Sequence, residues 1–301
     1  MYRTLVFGAE GRVGSRLSSF LERNGVDILR CGRSVCDLRN EKALQNILLA
    51  SGASYVVNCA AVSGVETCLD DPETAHRVNA MAPGMMARIC HLEGIRFLHL
   101  STDYVLDGRR NGLKTETEKC RTVNVYGASK LEAEYRVLEE MPEALIARVS
   151  WVFGNPLRPS FLEMILKKSL QGTPLAAVVD KWSMPTWVED LCSWLQFLIY
   201  KKNVSGILHL CQSGEPVSWY DYAVTTLKCA VKYGLLSSLP SVAEQKLDEQ
   251  ACFRDARPRH TAMSSARLAS LLGTSVRSYT EAIDLAVAQY ASDPTFLFRI
   301  P

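Results

Sequence analysis

Leu5-Val6-Phe7-Gly8-Ala9-Glu10-Gly11-Arg12-Val13-Gly14 is the stretch whose reading decides the fold of this 301-residue chain. Three apolar residues read as a short buried strand, Gly8 closes it, and Val13, Leu17, Phe20 and Leu21 then recur along one helical face. A strand that turns through glycine into a helix opens a βα unit, and its helix N-terminus suits an anion. Gly8 permits the tight turn, Gly11 lets a pyrophosphate approach the backbone amides, and Gly14 lets helix and strand pack closely. The spacing is G-x-x-G-x-x-G rather than G-x-G-x-x-G, so the turn alone is weak evidence for a dinucleotide.

Outward from that turn the chain alternates. Strands are expected at Val26–Leu29, Tyr55–Cys59, Phe97–Leu100 and Ala144–Val149, with helices at Ala43–Leu49, Thr74–His91 and Ser129–Glu139. Strands alternating with helices at this spacing predict an α/β fold, a Rossmann-like doubly wound parallel sheet. After Trp151 the pattern changes. Pro156, Pro159, Pro174, Pro185 and Pro216 punctuate shorter elements, among them a helix at Trp187–Tyr200 and a strand at Ile207–Leu210. The expected organisation is a dinucleotide-binding domain over 1–150, completed by parts of 183–212, and a smaller interleaved substrate domain over 151–182 and 213–301.

Composition narrows the class. The chain is 48% hydrophobic and 22% charged, so disordered and fibrous proteins are excluded, and the length suffices for one large core or two ordinary ones. Lys and Arg total 34 against 32 for Asp and Glu, and the signs are mixed along the chain, which argues against a nucleic-acid partner. The opening residues lack a signal-peptide pattern and no stretch approaches a membrane span, so a cytoplasmic location with no membrane partner is expected. The ten cysteines include no Cys-x-x-Cys pair, and the five histidines form no ligand cluster. They read as reduced small hydrophobes, with no metal site expected.

Tyr126-Gly127-Ala128-Ser129-Lys130 places a phenol and an ammonium four residues apart, on one face of a helix. A phenol is a poor acid and base near neutrality, and a neighbouring ammonium favours its ionised form. In a ketone reduction Tyr126 would protonate the oxygen as hydride arrives at carbon, with Lys130 also reaching the nicotinamide ribose. Ser101-Thr102-Asp103-Tyr104 follows the fourth strand at the sheet's carboxyl edge, where a hydroxyl can orient a carbonyl. The loop after the second strand, Arg30-Cys31-Gly32-Arg33-Ser34, carries no acid to bind a ribose 2′-hydroxyl. Arg33, aided by Ser34 and Arg30, would hold a 2′-phosphate instead, which predicts NADPH, with NADH left open as a second cofactor.

With these motifs in order, and with Asn58-Cys59-Ala60-Ala61, Arg148-Val149-Ser150-Trp151-Val152-Phe153-Gly154, Pro185-Thr186-Trp187-Val188-Glu189-Asp190-Leu191 and Arg257-Pro258-Arg259, the chain resembles dTDP-4-dehydrorhamnose reductases along nearly its whole length. The resemblance implies a catalytic set of Thr102, Tyr126 and Lys130 that reduces the C4 ketone of a nucleotide-linked 6-deoxy-4-keto sugar, giving dTDP-L-rhamnose. It places Ser63, Val65 and Trp151 at the sugar, beside Thr102 and Asp103. Gly8, Gly11, Arg12, Val13, Asp37, Leu38, Ala60 and Ala61 fall at its cofactor positions, where Asp37 could accept from the adenine amino group. Arg257, among Arg254, Arg257 and Arg259, is the expected contact for the diphosphate. Cys59, Ser63, Glu66 and Leu106 depart from the residues common in the family, which touches the choice of sugar more than the chemistry.

The alternative is a non-catalytic NADP-binding regulatory subunit resembling that of methionine adenosyltransferase, or another nucleotide-sugar enzyme such as an epimerase or dehydratase. A complete Thr102, Tyr126 and Lys130 set speaks against the first, and Tyr104 after Thr102-Asp103, where the 4,6-dehydratases carry Glu, speaks against a dehydratase. A homodimer is compatible with either reading.

Overall fold

The protein is described by a computed structural model over residues 3–293. The chain forms two compact units. The first comprises the chain to Asp107, Glu118–Val149 and Cys192–Leu208, and the second comprises Gly108–Thr117, Ser150–Leu191 and the chain from His209.

The first unit is built on β1 (Arg3–Phe7), α1 (Arg12–Arg23), β2 (Asp27–Cys31), α2 (Glu41–Ala50) and β3 (Tyr55–Asn58). It continues through α3 (Val65–Asp70), α4 (Pro72–His76), α5 (Ala82–Leu92), β4 (Arg96–Thr102), α6 (Val125–Glu140) and β5 (Leu145–Val149). With the strand Gly206–His209 these make a six-stranded sheet in the order β2-β1-β3-β4-β5 and Gly206–His209. β1 to β5 all pair in parallel. The fold is therefore the expected Rossmann-like α/β class. β1 is followed in the chain by β2 on one side and flanked by β3 on the other, so the strand order reverses at β1, and Gly8 stands at the carboxyl end of that reversal. Crevices of this kind are where doubly wound sheets bind ligands.

The sheet is covered on both faces, and β3 and β4 are accordingly near-continuous buried runs rather than alternating ones. Leu5, Phe7, Val56, Phe97 and Ile146 of the sheet pack against Leu44, Leu48, Met86, Cys90 and Val137 of the helices. Each such large side chain contributes about 1.5–3 kcal/mol by leaving water.

The long helix expected at Thr74–His91 is one continuous helical run over Pro72–Leu92, made of α4, a π-helical turn at Arg77–Met81, and α5. Pro83 explains that turn, because it has no N–H to donate back along the helix and its ring crowds the preceding turn. A widened π turn absorbs the extra residue. Asp71, whose carboxylate accepts from the Thr74 N–H, starts the rod two residues earlier than the periodicity suggests. β4 also runs two residues further than expected, which makes Ser101 and Thr102 the end of a strand and leaves only Asp103–Val105 as a 3-10 turn.

The second unit packs three helices, Phe161–Leu170, Trp219–Lys232 and Tyr279–Ser292, around Phe153, Leu166, Tyr222, Ile283 and Val287. Each has its N-terminus closed by a serine: Ser160 and Ser278 in capping boxes with Glu163 and Glu281, and Ser218 on the Asp221 N–H. Cys192–Leu208, a part of the 183–212 stretch, goes to the first unit. Gly108–Thr117, expected with the first domain, belongs to the second. Buried Lys114 holds it there: its N–H donates to the Ala262 carbonyl, and its Nζ gathers the carbonyls of Arg110, Asn111 and Gly112. Among the described residues no helix is long and apolar enough to cross a membrane.

Candidate active site

Gly8, at φ 70°, occupies a backbone conformation that L side chains rarely adopt, and a Cβ there would meet the Ala60 backbone nitrogen at 2.6 Å. A methyl on Gly14 would collide with the Gly8 carbonyl oxygen. The two glycines thus let β1, α1 and the Cys59–Ala60 segment after β3 approach backbone to backbone. Gly11 is the N-cap of α1 and offers no side-chain cap, and the first turn carries no acid. Arg12, Val13 and Gly14 therefore begin a helix whose leading amides suit a phosphate. The cavity beside this turn is lined by Gly8, Gly11, Arg33, Asp37, Leu38, Ala60 and Ala61, among others. A cavity with an anion-binding helix end and a buried Leu38 in its wall suits a dinucleotide. Gly14→Ala is expected to cost about 1–3 kcal/mol of stability by overpacking and to weaken dinucleotide binding at least tenfold. Thermal melts and fluorescence titration check this, and a variant matching wild type in both would contradict the close packing described.

Around the end of β2 the structure differs from expectation at Arg30. Arg30 is not available to a 2′-phosphate, because its Nε and Nη2 hold Glu22 at 2.8 and 2.6 Å and Nη2 also reaches Ser19. Arg33 does line the cavity, is exposed, and its guanidinium forms no hydrogen bond among the described residues. Asp37 is gripped by Arg39 through both oxygens, which holds its carboxyl down at about 2. It still presents lone pairs to the cavity. Glu10 was not anticipated: its carboxylate accepts from Ser34 Oγ at 3.2 Å and lies against Gly32, placing a negative charge on the ribose side of the slot.

Asn124 caps α6 by accepting from the Gly127 N–H at 2.7 Å, which sets Tyr126 in the first turn and Lys130 one turn on. Lys130 is buried, with Nζ 2.6 Å from the Leu100 carbonyl and 2.8 Å from His99 Nε2. Desolvation lowers its pKa to about 8, with the charges of Glu134 and Cys59 opposing. Tyr126 shifts the other way. Burial of its phenol raises its pKa, the Thr102 hydroxyl opposes, and the charges of Asp103 and Cys68 add to the rise. The expectation that Lys130 would draw Tyr126 toward phenolate is thus not met in this site: desolvation governs the phenol, which stays protonated at neutral pH. Thr102, at the end of β4, donates to Asp103 Oδ1 at 3.2 Å and accepts from the Tyr104 N–H at 3.2 Å. The Tyr104 ring lies edge-on to Tyr126 at 5.7 Å. The Thr102 hydroxyl thus bears on the Tyr126 phenol, with Lys130 one helical turn on from Tyr126, and the phenol can deliver a proton to an oxygen.

Ser63 is exposed in the loop before α3, and Val65 is the buried first residue of that helix. That loop is held by Asn79, which the sequence reading passed over. Asn79 Oδ1 accepts from the Val62 N–H at 2.8 Å, and its Nδ2 donates to the Val62 carbonyl at 2.9 Å and to Ser129 Oγ at 3.0 Å. Its signal was an amide side chain inside an apolar helical run, Val78-Asn79-Ala80-Met81, where a polar group must find partners.

In the second unit Trp151 sits at φ 42°, an uncommon conformation for a bulky residue. Its ring stacks on Trp219 at 5.4 Å and on Tyr222 at 6.1 Å, and Lys181 Nζ lies 5.8 Å from the Trp151 and Trp219 centroids. The Trp151 Nε1 donor is buried with no hydrogen-bond partner among the described residues. Arg257 lies over Phe253 at 4.1 Å and donates to the Asp255 carbonyl. Arg259 is committed to Asp180 and Asp248.

A family model described as the RmlD substrate binding domain matches residues 2–292. The chain is 30% identical over 293 residues to a dTDP-4-dehydrorhamnose reductase of Mycolicibacterium smegmatis, covering 95% of this chain and 85% of that one. It is 32% identical over 249 residues to the enzyme of that name from Aggregatibacter actinomycetemcomitans, covering 80% and 84%. A crystal structure of dTDP-4-dehydrorhamnose reductase from Bacillus anthracis in complex with NADP superposes with a TM-score of 0.87 at 25% identity, over 96% of this chain and 100% of that one. A UDP-glucose 4-epimerase of Thermus thermophilus, at 18% identity and a TM-score of 0.75, shares the fold. A match that runs from the glycine turn to the last helix, in sequence and in backbone alike, makes this chain a member of the dTDP-4-dehydrorhamnose reductase family.

Proposed function

We propose that this protein is an NADPH-dependent reductase of the C4 ketone of a nucleotide-linked 6-deoxy-4-keto sugar, converting dTDP-4-dehydrorhamnose to dTDP-L-rhamnose. The observation that carries the reading is the buried Tyr126 phenol beside Thr102, with Lys130 one helical turn on, at the carboxyl edge of the sheet that also presents the glycine turn. A reduced nicotinamide held there supplies hydride. Tyr126 gives its proton to the ketone oxygen, Thr102 orients that oxygen, and Lys130 holds the cofactor ribose. The leading amides of α1 take the pyrophosphate, and Leu38, Ala60 and Ala61 make the apolar walls. Trp151 and Arg257, both in the second unit, are the candidate contacts for the sugar nucleotide. The relatives' names support this substrate class, and the completeness of the catalytic set supports an enzyme over a regulatory subunit. No disulfide joins the cysteines among the described residues, which supports a reducing, cytoplasmic compartment. The test is NADPH absorbance followed with purified protein and dTDP-4-dehydrorhamnose made in situ: turnover is expected, and its absence with bound NADPH would favour the regulatory alternative.

Cofactor choice rests on Arg33. Its guanidinium is poised for charge-assisted hydrogen bonds to a 2′-phosphate, whereas Glu10 on the same side repels one. Arg33→Ala is expected to raise the KM for NADPH roughly ten- to a hundredfold and leave NADH nearly unchanged, since only the phosphorylated cofactor loses a contact. Steady-state kinetics with both cofactors decide it: an equal loss for both removes Arg33 from the phosphate.

A further inference from the structure

Trp151 combines two features that cost stability. At φ 42° its backbone is where bulky L residues rarely sit, and its buried Nε1 donor has no hydrogen-bond partner among the described residues. Such a residue persists only where its surroundings over-determine it. The hold on the backbone lies on both sides of the tryptophan. Before it, Ser150 Oγ and Ser183 Oγ are 2.5 Å apart. After it, Val152 and Phe153 pair with Thr186 and Trp187, and the Gly154 N–H donates to Glu163 Oε1 at 2.8 Å. Of these holds only the last is made by a charged side chain.

Glu163 does more than its place in the helix Phe161–Leu170 requires. As the third residue of a capping box, its Oε2 accepts from the Ser160 N–H at 2.7 Å and from Ser160 Oγ at 2.5 Å. Glu281 serves Ser278 in the same way at the start of Tyr279–Ser292, and it is exposed. Glu163 is instead wholly buried, and its second oxygen takes the Gly154 N–H and the Tyr290 hydroxyl, each at 2.8 Å. One carboxylate thus joins the turn after Trp151 to the starts and ends of two helices. Bonds to an ionised acceptor are stronger than neutral ones, and Gly154 has no slack on its other side, where the Trp187 ring lies 2.7 Å from the place of a Cβ.

We propose that Glu163 is a positioning residue for sugar-nucleotide recognition: through the Gly154 N–H its carboxylate holds Trp151 in the conformation that leaves the indole N–H for an acceptor oxygen of the ligand. The stacks on Trp219 and Tyr222 fix the plane of the indole, and Glu163 fixes the backbone that has to meet it there. A ligand oxygen then gains a buried hydrogen bond with little left to order. The proposal rests on the reading of Trp151 as a contact for the sugar nucleotide.

The test uses the full-length protein with nitrogen-labelled tryptophan, whose five indole N–H signals are assigned for Trp151 by Trp151→Phe. Glu163→Met is close in shape and removes both acceptor oxygens. Glu163→Gln offers one acceptor and one donor, so it serves only one of the Gly154 and Ser160 N–H groups. The expected result is a shifted Trp151 signal and an affinity for dTDP-L-rhamnose, titrated calorimetrically with NADPH present, that falls about tenfold in Glu163→Met, with Glu163→Gln between it and wild type. NADPH affinity should stay at the wild-type value, because its cavity is built by the first unit. Ser278→Ala, which breaks the other capping box, should leave the Trp151 signal in place. A Trp151 signal unmoved in the folded Glu163 variants overturns the proposal, as does a signal that moves with no change in affinity, or the same shift in Ser278→Ala. Failure of the reductase reading shows in the wild type itself, as no binding of dTDP-L-rhamnose, whereas failure of this proposal shows only in the variants.

Discussion

Replacing Tyr126 by Phe is expected to lower kcat by about 10²–10⁴-fold, the usual worth of a positioned general acid, while NADPH binding and thermal stability stay near wild type. The argument is local. The ring keeps its edge contact with Tyr104, and the backbone of α6 keeps its Asn124 cap, so only a hydroxyl is removed. That hydroxyl titrates above the ordinary tyrosine value because the folded protein desolvates it. It is therefore an acid throughout the working range, and its loss should not be recovered by raising the pH. Stopped-flow reduction with saturating NADPH, beside a binding titration, separates the two effects. A variant that turned over within a few-fold of wild type would move the proton donor elsewhere.

What could be read from the sequence was whatever depends on local rules. Leu5–Phe7 followed by Gly8, Gly11 and Gly14 specifies a strand, a turn and a helix by themselves, and the alternation that follows leaves few topologies. Tyr126 and Lys130 share a helix, so their common face follows from spacing alone. Contacts between distant segments were not legible. Arg30 looked like a phosphate ligand because Glu22, its partner, lies on the preceding helix and is brought to it only by the β1–β2 crossover. Asn79 and His99 matter through Val62, Ser129, Asn58 and Lys130, none of them near in sequence. The sign of the Tyr126 shift failed for the same reason. Adjacent charge can be counted along a chain, whereas desolvation depends on everything that packs around the phenol. Pro83 was legible as the cause of the π turn in that helix, since its missing N–H is a property of the residue itself.

Glu134 and Arg148 carry the second large effect, on stability rather than rate. Their side chains are 2% and 1% exposed, and Arg148 Nε and Nη2 meet the two carboxylate oxygens at 2.9 and 2.6 Å. Ser101 Oγ donates to the same carboxylate at 2.5 Å and Arg148 Nη2 reaches Cys120 Sγ at 3.0 Å, so α6, β4 and β5 are tied at one point behind Lys130. Two ions in so dry a place are costly to desolvate, and their attraction roughly offsets that cost. Removing one partner is different, because the other remains buried and unpaired. Glu134→Ala is expected to destabilise the protein by roughly 3–5 kcal/mol, and Arg148→Ala by a similar amount. The double change Glu134→Leu with Arg148→Met leaves no buried charge and restores apolar volume, so it should recover most of either loss. Urea denaturation of the three variants measures the difference. Single variants that lost less than about 1 kcal/mol would mean that water reaches the pair and screens it as it does a surface salt bridge.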